Sequence, residues 1–177
     1  MRTQAALCAA AALMLLHAAP AAAQALSDPV VAAPNPEALF TSKDPKLNRN
    51  KQAALHIEKD LLESHHWSEA DKWLTRKYIQ HNPVAASGLP GVVHYFVDVA
   101  KQQPLPIQTP TKVEVVSVQA EGDYVTVSTV RHLKDPKGAD YTTTWFDTWR
   151  FVDGKADEHW DPMALGGPAG PSAAAAK

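Results

Sequence analysis

Apolar residues in the first half of the chain recur at the spacing of one helix face. The recurring positions, three or four residues apart, are Ala54, Ile57, Leu61 and Leu62. Asn48 or Asn50 can cap the start of such a helix, because a short polar side chain accepts a hydrogen bond from a free N–H of the first turn. The pattern therefore predicts a first helix that ends at about Ser64.

Two more helices are predicted before the pattern changes. Ser68, with Asp71 three residues later, resembles a capping box and predicts a short second helix through Trp73. Pro90 suits the first turn of a third helix, where its missing N–H costs nothing. The inward positions predicted for this helix are Val93, Phe96, Val97 and Ala100.

After Pro104 the apolar residues alternate, which is the period of a β-strand. Turns or loops are predicted at Glu121–Asp123, Lys134–Asp140 and Asp153–Gly154. The strands between them are Val113–Val118, Tyr124–His132, Tyr141–Val152 and Ala156–Met163. Three helices followed by antiparallel strands predict an α+β fold, in which a cone-shaped curved antiparallel sheet and three N-terminal helices surround a pocket.

The two ends of the chain have a different composition from this domain. Arg2, the apolar run 5–16 and the alanines 21–23 form the pattern of a cleaved signal peptide, whose apolar part is too short to span a membrane. The predicted organisation is a signal peptide at 1–25, a Pro-rich extended linker at 26–46, the domain at 47–165 and a flexible tail at 166–177. The expected location is periplasmic or secreted.

Composition narrows the possible functions. The 177 residues carry a net charge of −2, which does not favour nucleic-acid binding, and one Cys excludes a disulfide framework. There is no Gly-rich phosphate loop or dinucleotide motif, so we expect no cofactor. His81, His159 and Asp161 could form a two-His, one-carboxylate set, but no helical His pair supports it, and we expect no metal.

Asp147 is the most distinctive candidate for chemistry. In a strand it shares a face with Trp145 and Trp149, two residues away on either side. If that face lines a pocket, burial would raise the pKa of the carboxyl and suit it to acid–base work near neutral pH. The alternative is that Asp147 points outward or pairs with Arg150 or Arg131.

The register of the last hairpin decides which residues accompany Asp147. A two-residue turn pairs Asp147 with Trp160 and places His159 on the opposite face. A three-residue loop that extends to Lys155 pairs Asp147 with Asp161 and sets His159 diagonally close. We favour the longer loop because it gathers three polar residues on one face, although the sequence alone leaves both open.

His81 is a second candidate outside the strands. It precedes Pro83 in a segment that we interpret as a loop, which could aim the imidazole into the mouth of the cone. A hydrogen bond from His81 to the backbone of its own loop is the alternative.

Several of these segments resemble the SnoaL-like polyketide cyclase family of the nuclear transport factor 2-like superfamily, which also contains ketosteroid isomerase. The segments lie in the order and spacing of that family and are Tyr78–Pro83, Ala120–Asp123, Asp147–Arg150, Asp153–Lys155 and Glu158–Asp161. The resemblance covers about residues 50–163. Ala156–Asp157 departs from it, because an apolar pair is usual there.

The resemblance implies a cone around an apolar cavity, with acid–base chemistry on Asp147 and without a cofactor. It also implies that His159 and Asp161 face the cavity, and it carries His81 over as the family's histidine. The predicted catalytic residues are Asp147, His159 and His81. The predicted substrate-binding residues are Trp145, Trp149, Trp160, Asp161 and Asn82.

The first functional hypothesis is therefore a small cofactor-independent acid–base enzyme of the aldol, isomerase or lyase type that acts on a small carbonyl compound. An exported protein does not fit polyketide synthesis, which takes place inside cells. The alternatives are a periplasmic module that binds a small ligand without catalysis, or a dimerising accessory domain. The expected partners are a small-molecule ligand and a second copy in a homodimer, with no nucleic acid and no membrane span.

Overall fold

The computed structural model describes residues 28–165. Helix α1 spans Pro45–His56 and continues as a π-helical segment, Ile57–Glu63. Its N-cap is Asp44, whose carboxylate accepts a hydrogen bond of 2.9 Å from the backbone N–H of Leu47. The helix thus begins earlier than predicted, because Pro45 can occupy the first turn and Asp44 caps it.

The other predicted helices are present in shorter or wider forms. Trp67–Lys72 is a 3₁₀-helix, and helix α2, Leu89–His94, continues as a π-helical segment, Tyr95–Val99. Val93 and Phe96 pack against the core as predicted, whereas Val97 is 37% exposed, so the prediction for that residue is wrong. A π-helical turn contains more residues than the α-helical turn that the prediction assumed.

A curved, unclosed five-stranded sheet lies against these helices, which confirms the α+β fold. The strands are β1 Leu74–Gln80, β2 Val115–Glu121, β3 Tyr124–Lys134, β4 Asp140–Val152 and β5 Lys155–Trp160. Their order is β1-β5-β4-β3-β2. Strand β1, which the sequence analysis missed, runs parallel to β5, and the other neighbours are antiparallel.

The core fills the space between the helices and the side of the sheet that they cover, here called the concave face. Ala54 and Leu61 of the predicted helical stripe are completely buried there. The sheet contributes alternate residues to the same core, chiefly Val125, Val127, Trp149 and Phe151. Burial of this apolar surface is the main stabilising contribution to the fold.

Residues 28–44, predicted as part of an extended linker, contact the domain. The backbone N–H of Ala33 donates to the carbonyl of Val115 at 2.8 Å, and that of Val30 donates to Thr142 Oγ1 at 2.7 Å. Pro36–Phe40 forms a 3₁₀-helix, and the Phe40 side chain is fully buried in the core. This part of the chain therefore belongs to the folded unit.

The predicted signal peptide and C-terminal tail lie outside the described residues, and export stays a prediction. Within residues 28–165, no helix combines the length and apolar character needed to cross a membrane.

The hairpin between β4 and β5 has a two-residue turn followed by a β-bulge. Asp153 and Gly154 both have positive φ, of 49° and 80°, as a type I′ turn requires. One extra residue of β5, Asp157, then shifts the register. The pairs are Val152 with Lys155 and Phe151 with Ala156 before the bulge, and Arg150 with Glu158 and Trp149 with His159 after it. The prediction of a three-residue loop is therefore wrong. The two-residue turn and the bulge together give the same register that the longer loop would have given.

Candidate active site

A cavity lies between the concave face of the sheet and the helices that cover it. Its volume of about 60 Å³ is enough for a few waters or part of a small ligand. Most of its wall is apolar and includes Ile57, Leu61, Leu62, Val92 and Phe96. Its polar residues are Tyr78, Gln80, Asn82, Tyr95, Asp147, His159 and Asp161.

Asp147 and His159 are in direct contact. His159 Nε2 is 3.0 Å from Asp147 Oδ1, and the two residues are only 6% and 8% exposed. On its other side, His159 Nδ1 is 2.7 Å from Gln80 Oε1 of β1. Each ring nitrogen of His159 therefore faces an oxygen that can accept a hydrogen bond, which holds the imidazole between β4 and β1.

Three elements fix the orientation of this pair. The bulge turns His159 toward the concave face, and the ring of Trp149 stacks on the imidazole with centroids 5.2 Å apart. Gln80 lies beside His159 because β1 and β5 pair in parallel at these two residues. The imidazole therefore has little freedom to rotate away from Asp147.

Asp161 lies just beyond the end of β5 and adds a second carboxylate to the cluster formed by Asp147, His159 and Gln80. Its Oδ2 accepts a hydrogen bond of 2.7 Å from Asn82 Nδ2, and its Oδ1 accepts one of 2.8 Å from the backbone N–H of Met163. The same Oδ2 is 4.0 Å from His159 Nδ1. These contacts join the segment after β1 to the end of β5 and keep both carboxylates on one side of the cavity.

Tyr78 is a cavity residue that the sequence analysis did not identify. Burial raises the pKa of its hydroxyl strongly, the charges of Asp147 and Asp161 raise that pKa further, and a hydrogen bond with Trp149 opposes the shift. Tyr78 therefore stays protonated and can act as a hydrogen-bond donor at the polar end of the cavity.

A third carboxyl lies buried near this group. Glu58, in the π-helical segment, is 4% exposed, and its Oε1 has no hydrogen-bond partner. Burial raises the pKa of this carboxyl well above its ordinary value, and the charges of Asp147 and Glu63 add to the rise. Burial therefore favours the protonated form of Glu58 more than it would for an exposed carboxyl.

This burial predicts a pH dependence of stability that Glu58→Gln removes. Because the folded-state pKa of Glu58 lies above the unfolded value, its proton stabilises the fold at low pH, and that contribution is lost as pH rises from about 4.5 toward the folded pKa. Each pKa unit of difference corresponds to about 1.4 kcal/mol. We expect the free energy of unfolding of Glu58→Gln, measured by denaturant titration, to exceed that of the wild type increasingly as pH rises through this range.

Glu121→Gln is the matched control for this experiment, because Glu121 is exposed. Its difference from the wild type should stay nearly constant over the same pH range. Parallel stability curves for Glu58→Gln and the wild type would contradict the prediction.

The polar side chains of the cavity also include potential metal ligands that lie close together. One ligand atom each of Asp147, His159 and Asp161 lies within 4.8 Å of the others, so Asp147 takes the position that the sequence analysis gave to His81. However, both nitrogens of His159 and both oxygens of Asp161 already have hydrogen-bonding or ionic partners. Hydrogen bonds to Gln80 and Asn82 already position His159 and Asp161, and this geometry carries no metal prediction.

Two predicted site residues lie on the outer face of the sheet instead. His81 Nε2 is 3.1 Å from Glu158 Oε2, and its ring stacks on Trp160 with centroids 4.8 Å apart. His81 is adjacent to Gln80 in an extended segment, so their side chains point to opposite faces. Trp160 pairs with Thr148, whose side chain is on the outer face, so neither aromatic ring lines the cavity.

Trp145 is on the concave face but does not line the cavity. It is buried under the guanidinium of Arg131, whose carbon is 4.4 Å from the ring centroid. Arg150 bonds to Asp157 and Glu158 and is therefore not the partner of Asp147. The other predicted site residues line the cavity together, namely Asn82, Asp147, Trp149, His159 and Asp161.

A curved sheet with helices over an apolar cavity, and a carboxylate–imidazole pair in its wall, defines a small, enzyme-like ligand-binding domain. The SnoaL-like domain model matches residues 57–159, which is more than half of the chain. The chain therefore belongs to the SnoaL-like domain family, and the resemblance read from the sequence is confirmed.

Solved structures with a similar fold share little sequence with this chain. A predicted polyketide cyclase from Acidithiobacillus ferrooxidans is 15% identical over 68% of this chain and 89% of its own, with a TM-score of 0.49. A predicted SnoaL-like polyketide cyclase from Jannaschia sp. CCS1 is 17% identical over 69% of this chain and 91% of its own, with a TM-score of 0.47. No curated protein matches the sequence. Similarities at this level carry no conclusion about function.

Proposed function

We propose that the protein catalyses proton transfer at a C–H bond next to the carbonyl group of a small compound, using acid–base chemistry of its own side chains. One observation carries the proposal: the carboxylate of Asp147, buried in the wall of an apolar cavity, is held 3.0 Å from the imidazole of His159. A buried carboxyl beside an imidazole in a cleft is the kind of pair that proton-transfer enzymes use.

In this reaction Asp147 takes the proton from the carbon. The electron pair moves to the carbonyl oxygen and forms an enolate, and Asp147 returns the proton to a carbon atom. In an aldol closure the enolate carbon instead attacks a second carbonyl, and Asp147 returns the proton to the alkoxide oxygen formed there. His159 faces the carboxylate through Nε2 and stabilises its charged form, while Gln80 fixes the ring through Nδ1. The apolar wall keeps water from competing for the proton.

The negative charge that develops on the carbonyl oxygen needs hydrogen-bond donors. Tyr78 is the donor that we assign to this role, because it is buried, lines the cavity and retains its proton. A donor that is already oriented toward the developing charge stabilises the transition state more than the ground state.

The test is hydrogen–deuterium exchange at the carbon next to a ketone, followed by proton NMR in D₂O with phenylacetone as the probe. We expect the folded protein to exchange these protons faster than buffer or heat-denatured protein does. Binding of phenylacetone without faster exchange would contradict catalysis on this substrate class and favour the ligand-binding module. If phenylacetone neither binds nor exchanges its protons faster, both the catalytic function and the ligand-binding module are contradicted for this substrate class.

Tyr78→Phe tests the donor separately. We expect the exchange rate to fall about 10²-fold, since loss of one oxyanion donor has an effect of this order. The affinity for phenylacetone, measured by calorimetry, should change much less, because the charge develops only during the reaction. Tyr124→Phe is the control, because Tyr124 is exposed at the sheet surface. Equal rates for the two variants would remove Tyr78 from the mechanism.

A further inference from the structure

The charged residues of the cavity are all acidic apart from His159. Among the described residues that line it, Asp147 and Asp161 are the carboxylates, and there is no Lys or Arg. Both carboxylates are buried, so water screens their charges less than it would at the surface. The ligand that this cavity accepts must therefore tolerate a negative environment.

A positive charge on His159 can neutralise only one of the two carboxylates. It contacts Asp147 at 3.0 Å and lies 4.0 Å from Asp161, so even an imidazolium leaves a net charge of −1 on the three groups. The closest hydrogen-bond partners of Asp161 are the amide of Asn82 and the backbone N–H of Met163, which are dipoles without net charge. The excess negative charge faces the space that a ligand would occupy.

Burial and the negative charge of these carboxylates raise the pKa of two neighbouring acids, Glu58 and Tyr78. Burial raises the pKa of Glu58 and of Tyr78, and the charge of Asp147 raises both further. The charge of Asp161 also raises the pKa of Tyr78. Each of these acids is harder to ionise here than in water, and a ligand that brings a negative charge into the same space meets the same repulsion.

We propose that the cavity selects uncharged or positively charged ligands and excludes carboxylates, phosphates and other anions. Like charges brought together in a site that excludes water oppose binding strongly, so this arrangement gives specificity by repulsion. The inference rests on the proposed function only for the carbonyl chemistry. Its charge selectivity concerns binding and can be measured without turnover.

The binding test uses three probes of the same shape and different charge, namely phenylacetone, phenylacetate and phenylacetamidinium. Calorimetry near neutral pH should show phenylacetate binding at least about tenfold more weakly than phenylacetone, with phenylacetamidinium as tight as phenylacetone or tighter. Phenylacetate binding as tightly as phenylacetone would overturn the inference. Binding of none of the probes at millimolar concentration would also overturn it.

Asp161→Asn tests the source of the selectivity. An Asn side chain can still accept from Met163 but carries no charge, so we expect the affinity ratio of phenylacetone to phenylacetate to fall at least about threefold toward one. Asp98→Asn, a change on an exposed helix surface, should leave the ratio as it is in the wild type. An unchanged ratio in Asp161→Asn overturns the inference; if that variant does not fold, Asp147→Asn takes its place with the same expectation.

The two proposals fail in different ways. If phenylacetate is excluded but phenylacetone protons do not exchange, the selectivity stands and the catalytic function falls. If exchange occurs and phenylacetate binds as tightly as the ketone, the catalytic function stands and the selectivity falls.

Discussion

Replacing Asp147 with Asn should lower the rate of proton exchange on phenylacetone by about 10²- to 10⁴-fold, the range that general acid–base catalysis contributes. The new side chain has the same shape and can still accept the hydrogen bond from His159 Nε2, but an amide cannot take a proton from carbon near neutral pH. The exchange rate is measured by NMR, and the free energy of unfolding by denaturant titration. Folding should be retained.

Asp140→Asn is the matched control for this variant. Asp140 is at the exposed start of the same strand, so its loss should leave the exchange rate of the wild type unchanged. Full activity in Asp147→Asn would contradict the assignment of the base. If both variants bind phenylacetone and the wild type does not exchange it either, the protein is a binding module.

The largest expected effect on stability comes from a residue of the predicted linker. Phe40→Ala should lower the free energy of unfolding by about 3–5 kcal/mol, because the side chain is fully buried and its loss leaves a cavity. Chemical denaturation of the full chain measures this difference. The result would establish that residues 28–44 stabilise the domain as well as preceding it.

Val31→Ala is the control within the same segment. Val31 is 74% exposed, so its truncation should change stability by less than about 0.5 kcal/mol. If Phe40→Ala also cost less than 1 kcal/mol, roughly the effect of removing one buried methylene, the segment would be a spacer in solution, as the sequence analysis expected.

The elements that depend on local pattern were the ones that the sequence predicted well. Ala54, Ile57 and Leu61 of the stripe on the first helix are buried as expected. Asp147 and Trp149 share the inner face of one strand. These predictions succeed because helical spacing and strand alternation are properties of neighbouring residues. The predicted start of α1 at Asn48 or Asn50 is wrong, because Asp44 caps the helix and Pro45 occupies its first turn.

The contents of the site could be predicted only in part, because they depend on contacts between distant strands. Reading residues 78–82 as an extended segment would have separated Tyr78, Gln80 and Asn82 on one face from His81 on the other. The polar character of the segment and its following Pro instead favour a loop, and a loop makes His81 the candidate. The pairing of Gln80 with His159 joins residues 79 positions apart, for which the local pattern contains no signal.

The bulge at Asp157 also makes the length of the last hairpin a constraint of its own. Thr75 and Arg150 both hold the Asp157 carboxylate, so the extra residue is anchored from two neighbouring strands. Deleting that one position would rotate every later side chain of the strand by half a turn and move the imidazole to the solvent side. In divergent relatives, the catalytic potential of this hairpin would therefore depend on its residue count even when every polar residue is kept.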